Sequence, residues 1–210
     1  MRASESHASY ELSATRPGIS PDAVAFGIDC ALETFTHESN LQRIDLVWTG
    51  PETSAVSVRR SAAVLLELIE GTRSDLIMMS FASFRIPDVE AALSAAINRG
   101  VRLYLIFESE EDSSGRYHQY GAPAFNALPR TAHVAYYSWP KQRRPSGAVL
   151  HAKAVVCDAN KALITSANLT ERAIDENIEL GIRIEGGNVP RQLHSHIMSL
   201  MQTGDFEIQS

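Results

Sequence analysis

Apolar residues recur along this chain with two different spacings, and the switch between them marks out its elements. The segment "SPDAVAFGIDCALETF" places Ser20 as N-cap and Pro21 at the first helical position, which predicts a helix. "IDLVWTGP" reads as a strand broken at Gly50-Pro51, and "SVRRSAAVLLELIEG" as an amphipathic helix stopped by Gly71. A buried strand, "DLIMMSFAS", is followed by a helix from near Pro87 to Gly100 and by the strand "VRLYLIFES". A loop with a helix is expected over "GRYHQYGAPAFNAL", then the strand "AHVAYYS" and the loop "WPKQRRPSGA". Residues 149 to 165 predict a hairpin turning at "DANK", with a helical turn near Thr170. The strand "NIELGIRIE" and a helix from about Val189 to Met201 follow.

Strands alternating with helices predict an α/β fold: a mixed, largely parallel sheet sandwiched between helices. The unit from Ile44 to Phe81, and the next one ending at Phe107, are expected as parallel, right-handed crossovers. The late hairpin adds antiparallel pairing. Residues 1–20 are polar and expected to be a flexible N-terminal segment, with 21–210 forming a single domain.

The hairpin carries a polar set that its packing does not require. On an extended chain, residues two apart share a face, so His151 and Lys153 project side by side. Ser166 and Asn168 follow the return strand and are expected at the same end of the sheet. An imidazole, an ammonium, a hydroxyl and an amide in one place suit a tetrahedral anion such as phosphate. Asp158 sits in the turn, where Asp is a natural residue, and Asn168 is placed to cap the helical turn at Thr170.

Composition narrows the setting. The chain has 210 residues, a net charge of -6 and two cysteines, Cys30 and Cys157. No signal peptide and no membrane-length apolar run is visible, so a reduced, cytoplasmic protein is expected. The acidic balance argues against non-specific coating of nucleic acid. Yet Ser113 to Cys157 holds no Asp or Glu, while Arg116, Arg130, Lys141, Arg143, Arg144 and Lys153 lie within it. Two readings stand: solvated loops, or an electropositive mouth for an anionic substrate. Trp139 beside Lys141, Arg143 and Arg144 would suit single-stranded nucleic acid through stacking and phosphate contacts, and an ordinary exposed loop is the other reading. His194 and His196 are two apart on a predicted helix, hence on different faces and expected at the surface. His118 and His133 lack a ligand-spaced partner, and no metal or cofactor is expected.

The series His151-x-Lys153-x4-Asp158-x6-Thr165-Ser166-x-Asn168 resembles the HKD signature of the phospholipase D superfamily. Thr165 departs from it, since the usual pattern has Gly there. "NIELGIRI" places Glu179 where the superfamily has an acidic residue orienting the motif histidine, and the resemblance covers roughly residues 55 to 203. It implies a phospholipase D-like fold, with His151 attacking phosphorus to form a phosphohistidine that water resolves. It further implies that Lys153 and Asn168 bind the non-bridging oxygens, that Ser166 is a hydrogen-bonding neighbour and that Asp158 gives support. Glu179 is expected to accept from the other ring nitrogen of His151. "LVWTGP", the chain length and the single motif copy are similar to the phospholipase-D-like component of the bacterial DISARM anti-phage system.

Two functions of different class follow. One is a metal-independent phosphodiesterase acting on nucleic acid in anti-phage defence, with phospholipid hydrolysis using the same residues. The other is an accessory subunit that binds nucleic acid or partner proteins with little turnover. Because the superfamily's chemistry uses two motifs and this chain has one, a homodimer with the active site at its interface is expected. Nucleic acid and other DISARM components are the further partners expected, and no membrane.

Overall fold

The computed structural model describes residues 18–81, 86–108, 125, 128 and 131–209. Residues 1–17, within the segment expected to be flexible, lie outside the described residues, as does most of the loop and helix expected over 115–128. Arg116, His118 and Arg130 are among those not described. Two compact units divide the chain, Met1–Gln42 and Arg43–Ser210.

In the first unit, helix α1 (Pro21–Leu41) starts as its sequence predicts. The hydroxyl of Ser20 accepts from the Ala23 amide at 3.2 Å and so caps one of the orphan donors of the first turn.

The second unit is built on one sheet. Its elements are β1 (Arg43–Thr49), β2 (Arg59–Arg60), α2 (Ser61–Gly71), β3 (Asp75–Ser80), α3 (Pro87–Asn98) and β4 (Arg102–Phe107). They continue through β5 (Val134–Ser138), β6 (Ala154–Cys157), β7 (Lys161–Thr165), α4 (Glu171–Asp175), β8 (Glu179–Glu185), α5 (Val189–Gln202) and β9 (Glu207–Ile208). Among the described residues the strands run in the order β2-β1-β8-β7-β6-β3-β4-β5-β9.

The sheet is mixed, but its balance differs from the expectation of a largely parallel one. Three neighbouring pairs are parallel and five are antiparallel. The cause lies in the late strands: the short turn between β6 and β7 cannot join parallel neighbours, and β8, returning after α4, pairs antiparallel with both β7 and β1. β6, β7 and β8 insert between β1 and β3, so of the two expected crossovers β3-α3-β4 has its strands side by side and β1-α2-β3 does not.

Alternation along each strand fills both faces. Leu76 and Met78 pack with Leu65, Leu68 and Leu93 from α2 and α3 on one face. Ile77 and Met79 pack with Ile197 of α5 and Phe206 on the other. Residues 59–60, expected inside a helix, instead pair with β1, and β9 was not visible in the sequence. Two-residue strands are too short to show a period. Burial pushes the Cys157 thiol up to about 12, as befits a small core residue. No helix among the described residues is long and apolar enough to cross a membrane.

Candidate active site

The turn between β6 and β7 is tight. Asp158 and Ala159 have φ of 54° and 51°, and the Asn160 amide donates to the Cys157 carbonyl at 3.0 Å, within the three-residue connection 158–160 that joins the paired residues Cys157 and Lys161. That turn sets the register Ala154↔Ile164, and the next ladder pairs Thr165 with Gly181. Beyond the ladder, the Thr165 amide donates to the Lys153 carbonyl at 3.2 Å and the Ser166 amide to the Leu180 carbonyl at 2.9 Å. Lys153, Ser166 and Glu179 therefore meet at one end of the sheet, beside Ser80 and Phe81 where β3 ends.

Thr165, the departure from the signature, is accommodated by the residue opposite. A Cβ on Gly181 would stand 2.9 Å from the Ile164 carbonyl oxygen and 3.0 Å from the Thr165 Cβ. The missing side chain on β8 makes room for the extra one on β7. Thr165 also uses its hydroxyl, which accepts from the Ala167 amide at 3.1 Å and so shapes the loop leading to Asn168.

His151 and Lys153 are brought into direct contact. Lys153 Nζ lies 2.9 Å from His151 Nδ1 and donates to the His151 carbonyl at 2.7 Å. The Phe81 ring backs both, with its centroid 5.2 Å from that of His151 and 5.9 Å from Nζ. His151 itself is exposed, while Lys153 is only 8% accessible. Burial holds the Lys153 ammonium below its usual range, and the nearby Glu179 carboxylate opposes that shift.

Glu179 differs from the expectation. Its carboxylate accepts from the Ser166 hydroxyl and, at 3.5 Å, from Asn177 Nδ2, and among the described residues it makes no hydrogen bond to His151. Ser166 is the better hydrogen-bonding partner because β8 runs beside it, and the hydroxyl also accepts from the Leu180 amide at 3.1 Å. Asn168 does not cap the helical turn. Thr170 does, its hydroxyl accepting from the Ala173 amide at 3.2 Å. The Asn168 side chain is left with its amide oxygen buried and unpartnered among the described residues, an arrangement that costs stability unless a ligand uses it.

Asp158 does not belong to this group. Seven residues of nearly extended chain separate it from His151, roughly 23 Å at the usual rise of a strand. Its carboxylate accepts from the amides of Arg73, Ser74 and Asp75 at 2.9, 2.7 and 3.2 Å and from the Ser74 hydroxyl at 2.9 Å. Burial alone would raise its pKa, but these hydrogen bonds outweigh it and hold the carboxyl below 3.8. It fastens the hairpin to the start of β3.

Arg144 is also reassigned. Its guanidinium makes a two-pronged pair with Glu108 at 2.9 and 2.7 Å, with side-chain exposures of 3% and 4%. A carboxylate beyond the acid-free segment has captured one of its cations. Glu108 also accepts from the Leu150 amide at 2.7 Å, which fixes the backbone just before His151. Arg143 is half exposed with a 3.4 Å contact to Glu207, Lys141 is exposed, and Trp139 is half-buried under the Arg144 guanidinium, 5.7 Å from the ring centroid. His194, expected at the surface, is half-buried and sits 2.9 Å from Asp75, because α5 lies across the start of β3.

A family model described as cardiolipin synthase, PLD-like domain, matches residues 65–201, which contain the whole of this arrangement. The chain belongs to this phospholipase D-like family. It is similar to the DISARM protein DrmC of Bacillus paralicheniformis, 27% identical over 82% of this chain and 69% of that protein. Among solved structures, the phospholipase D family member Nuc from Salmonella typhimurium has a TM-score of 0.54 at 21% identity, covering 80% of this chain and 98% of Nuc. NucT from Helicobacter pylori has a TM-score of 0.59 at 17% identity, covering 77% and 96%. At these identities the two structures show a shared phospholipase D-like fold.

Sequence reasoning missed three residues of this phospholipase D-like site. Phe81 backs the imidazole, Glu108 anchors the approach to His151, and the Ser80 hydroxyl accepts from the Leu169 amide at 3.1 Å, tying the Asn168 loop to β3. Phe81 and Ser80 end a strand that reads only as core. Glu108, an acidic residue closing the apolar strand "RLYLIF", was the one legible signal.

Proposed function

We propose that this chain is a phosphodiesterase that works through a phosphohistidine at His151 and acts on nucleic acid as part of anti-phage defence. The observation that carries the reading is the His151–Lys153 pair beside Ser166–Glu179, in a phospholipase D-like chain similar to a DISARM protein. Lys153 and Asn168 bind the non-bridging oxygens. His151 attacks phosphorus, the leaving oxygen takes a proton, and water then displaces the imidazole.

Nucleophile and acid cannot be the same ring at the same moment. Charged Lys153 can only donate, so the neutral His151 beside it accepts at Nδ1 and carries its proton on Nε2. That is the state of a proton donor. Attack from Nε2 needs the opposite tautomer, with Nδ1 protonated and held by an acceptor such as a carboxylate. Only one His-x-Lys occurs in the chain, so a second copy related by two-fold symmetry supplies the other ring. The active form is a homodimer with its site at the interface, and other DISARM components are its partners.

Purified protein is incubated with single- and double-stranded DNA, RNA and phospholipid vesicles, with His151→Ala alongside and with chelator present. Nucleic acid cleavage that survives chelator and disappears in folded His151→Ala is expected. Sedimentation at micromolar concentration should show a dimer. Cleavage retained in His151→Ala, or a fully active monomer, overturns the mechanism. Binding without turnover assigns the chain to the accessory role.

A further inference from the structure

His151 stands at the rim of a cleft of about 490 Å³ on the α5 face of the sheet. Its walls are largely apolar, with Trp139, Leu200 and Phe206 prominent, and its polar groups include Arg143 and Asp205. The reaction on phosphorus does not account for this space. A phosphodiester held at His151 carries two substituents, and the cleft opens where one of them must go.

The chemistry of the walls selects among substituents. Trp139 is held as a platform: it packs on the α5-side core, and Arg144, itself locked by Glu108, lies over its ring. A fixed aromatic face favours a flat, polarisable group, and stacking is the sequence-tolerant way to hold a base. Asp205 accepts from the Thr203 hydroxyl at 2.6 Å through one oxygen, and its other oxygen takes no hydrogen bond among the described residues. A carboxylate there suits the N–H donors of a base edge. An acyl chain would gain nothing from it. Arg143, half exposed at the cleft, is positioned for the phosphate of the neighbouring nucleotide.

We infer that this cleft takes one unpaired nucleobase next to the scissile phosphate, making the protein selective for single-stranded nucleic acid. Paired and stacked in a duplex, a base could not enter. The inference rests on the phosphodiesterase reading above and adds the substrate class to it.

The test measures binding with the His151→Ala protein, which cannot turn over. Fluorescent probes are a 12-residue oligodeoxynucleotide, a strand of the same length built from abasic tetrahydrofuran units, and a 12-base-pair duplex. The base-bearing strand should bind on the order of tenfold more tightly than the abasic strand. Adding Trp139→Ala should abolish that difference, while adding Trp139→Phe, which keeps an aromatic face, should preserve it. Circular dichroism checks that each variant is folded. If Trp139→Ala does not fold, the Trp139→Phe protein and the abasic comparison still decide. Equal binding of base-bearing and abasic strands, or tighter binding of the duplex, overturns the inference. Cleavage assays on the unmodified protein separate the two ideas. If it cleaves DNA but binds abasic strands equally, the base site alone is wrong. Hydrolysis of phosphatidylglycerol vesicles without cleavage of any nucleic acid overturns both.

Discussion

Lys153 Nζ sits 2.9 Å from His151 Nδ1 and is bound at the same time to the His151 carbonyl at 2.7 Å. One buried ammonium thus sets the tautomer of the exposed imidazole and holds the backbone that carries it. Replacing Lys153 with Met should lower turnover by about two to three orders of magnitude, the usual cost of losing a pre-aimed charge stabiliser. Stability should move the other way. Burial depresses the Lys153 pKa in the folded state, so the unfolded chain binds more protons between that lowered value and 10.5, and stability rises with pH across the window. Lys153→Met should raise the neutral-pH unfolding free energy by about 1 kcal/mol and flatten its alkaline slope. Urea titrations at several pH values read both effects.

Asp158 is predicted to matter for stability and not for chemistry. Its hydrogen bonds to residues 73–75 favour the ionised form, so Asp158→Asn should cost about 2 kcal/mol at neutral pH. The folded carboxyl titrates below 3.8, so the contribution is full above that pH and fades as pH falls through the lowered value. The mutant and parent should converge in acid, while turnover per folded molecule at neutral pH stays unchanged.

The two neighbouring arginines should behave differently. Arg144→Met leaves the Glu108 carboxylate buried without its cation, a loss of about 3–5 kcal/mol. Arg143→Gln should leave stability within about 0.5 kcal/mol. It should also reduce the salt slope of oligonucleotide binding by about one contact. Equal salt slopes for Arg143→Gln and the parent would remove Arg143 from the binding surface.

Two backbone positions give opposite expectations. Ala159, at a φ of 51°, should be improved by glycine, with Ala159→Gly gaining about 1 kcal/mol in thermal or urea unfolding. Gly181→Ala should lose more than that, since the new methyl meets the Ile164 carbonyl at 2.9 Å. It should also reduce activity, because β7 and β8 carry Ser166 and Glu179.

The sequence by itself determined the order of the longer elements, the tight turn at Asp158 and Ala159, and the meeting of His151 with Lys153. Each is a local property. A two-residue spacing on an extended chain puts both side chains on one face whatever else the molecule does, and a change of apolar period marks a change of element. Tertiary structure alone decided that β6, β7 and β8 insert between β1 and β3, because edge pairing depends on which segments meet and leaves no mark on either period. It also decided the fate of the charges. Arg144 belongs to Glu108, Asp158 to the amides of residues 73–75, and Glu179 to Ser166. A charge in a sequence announces its sign, but its partner is whichever opposite group or donor the fold brings within hydrogen-bond reach, and across these distances in the chain only packing sets that.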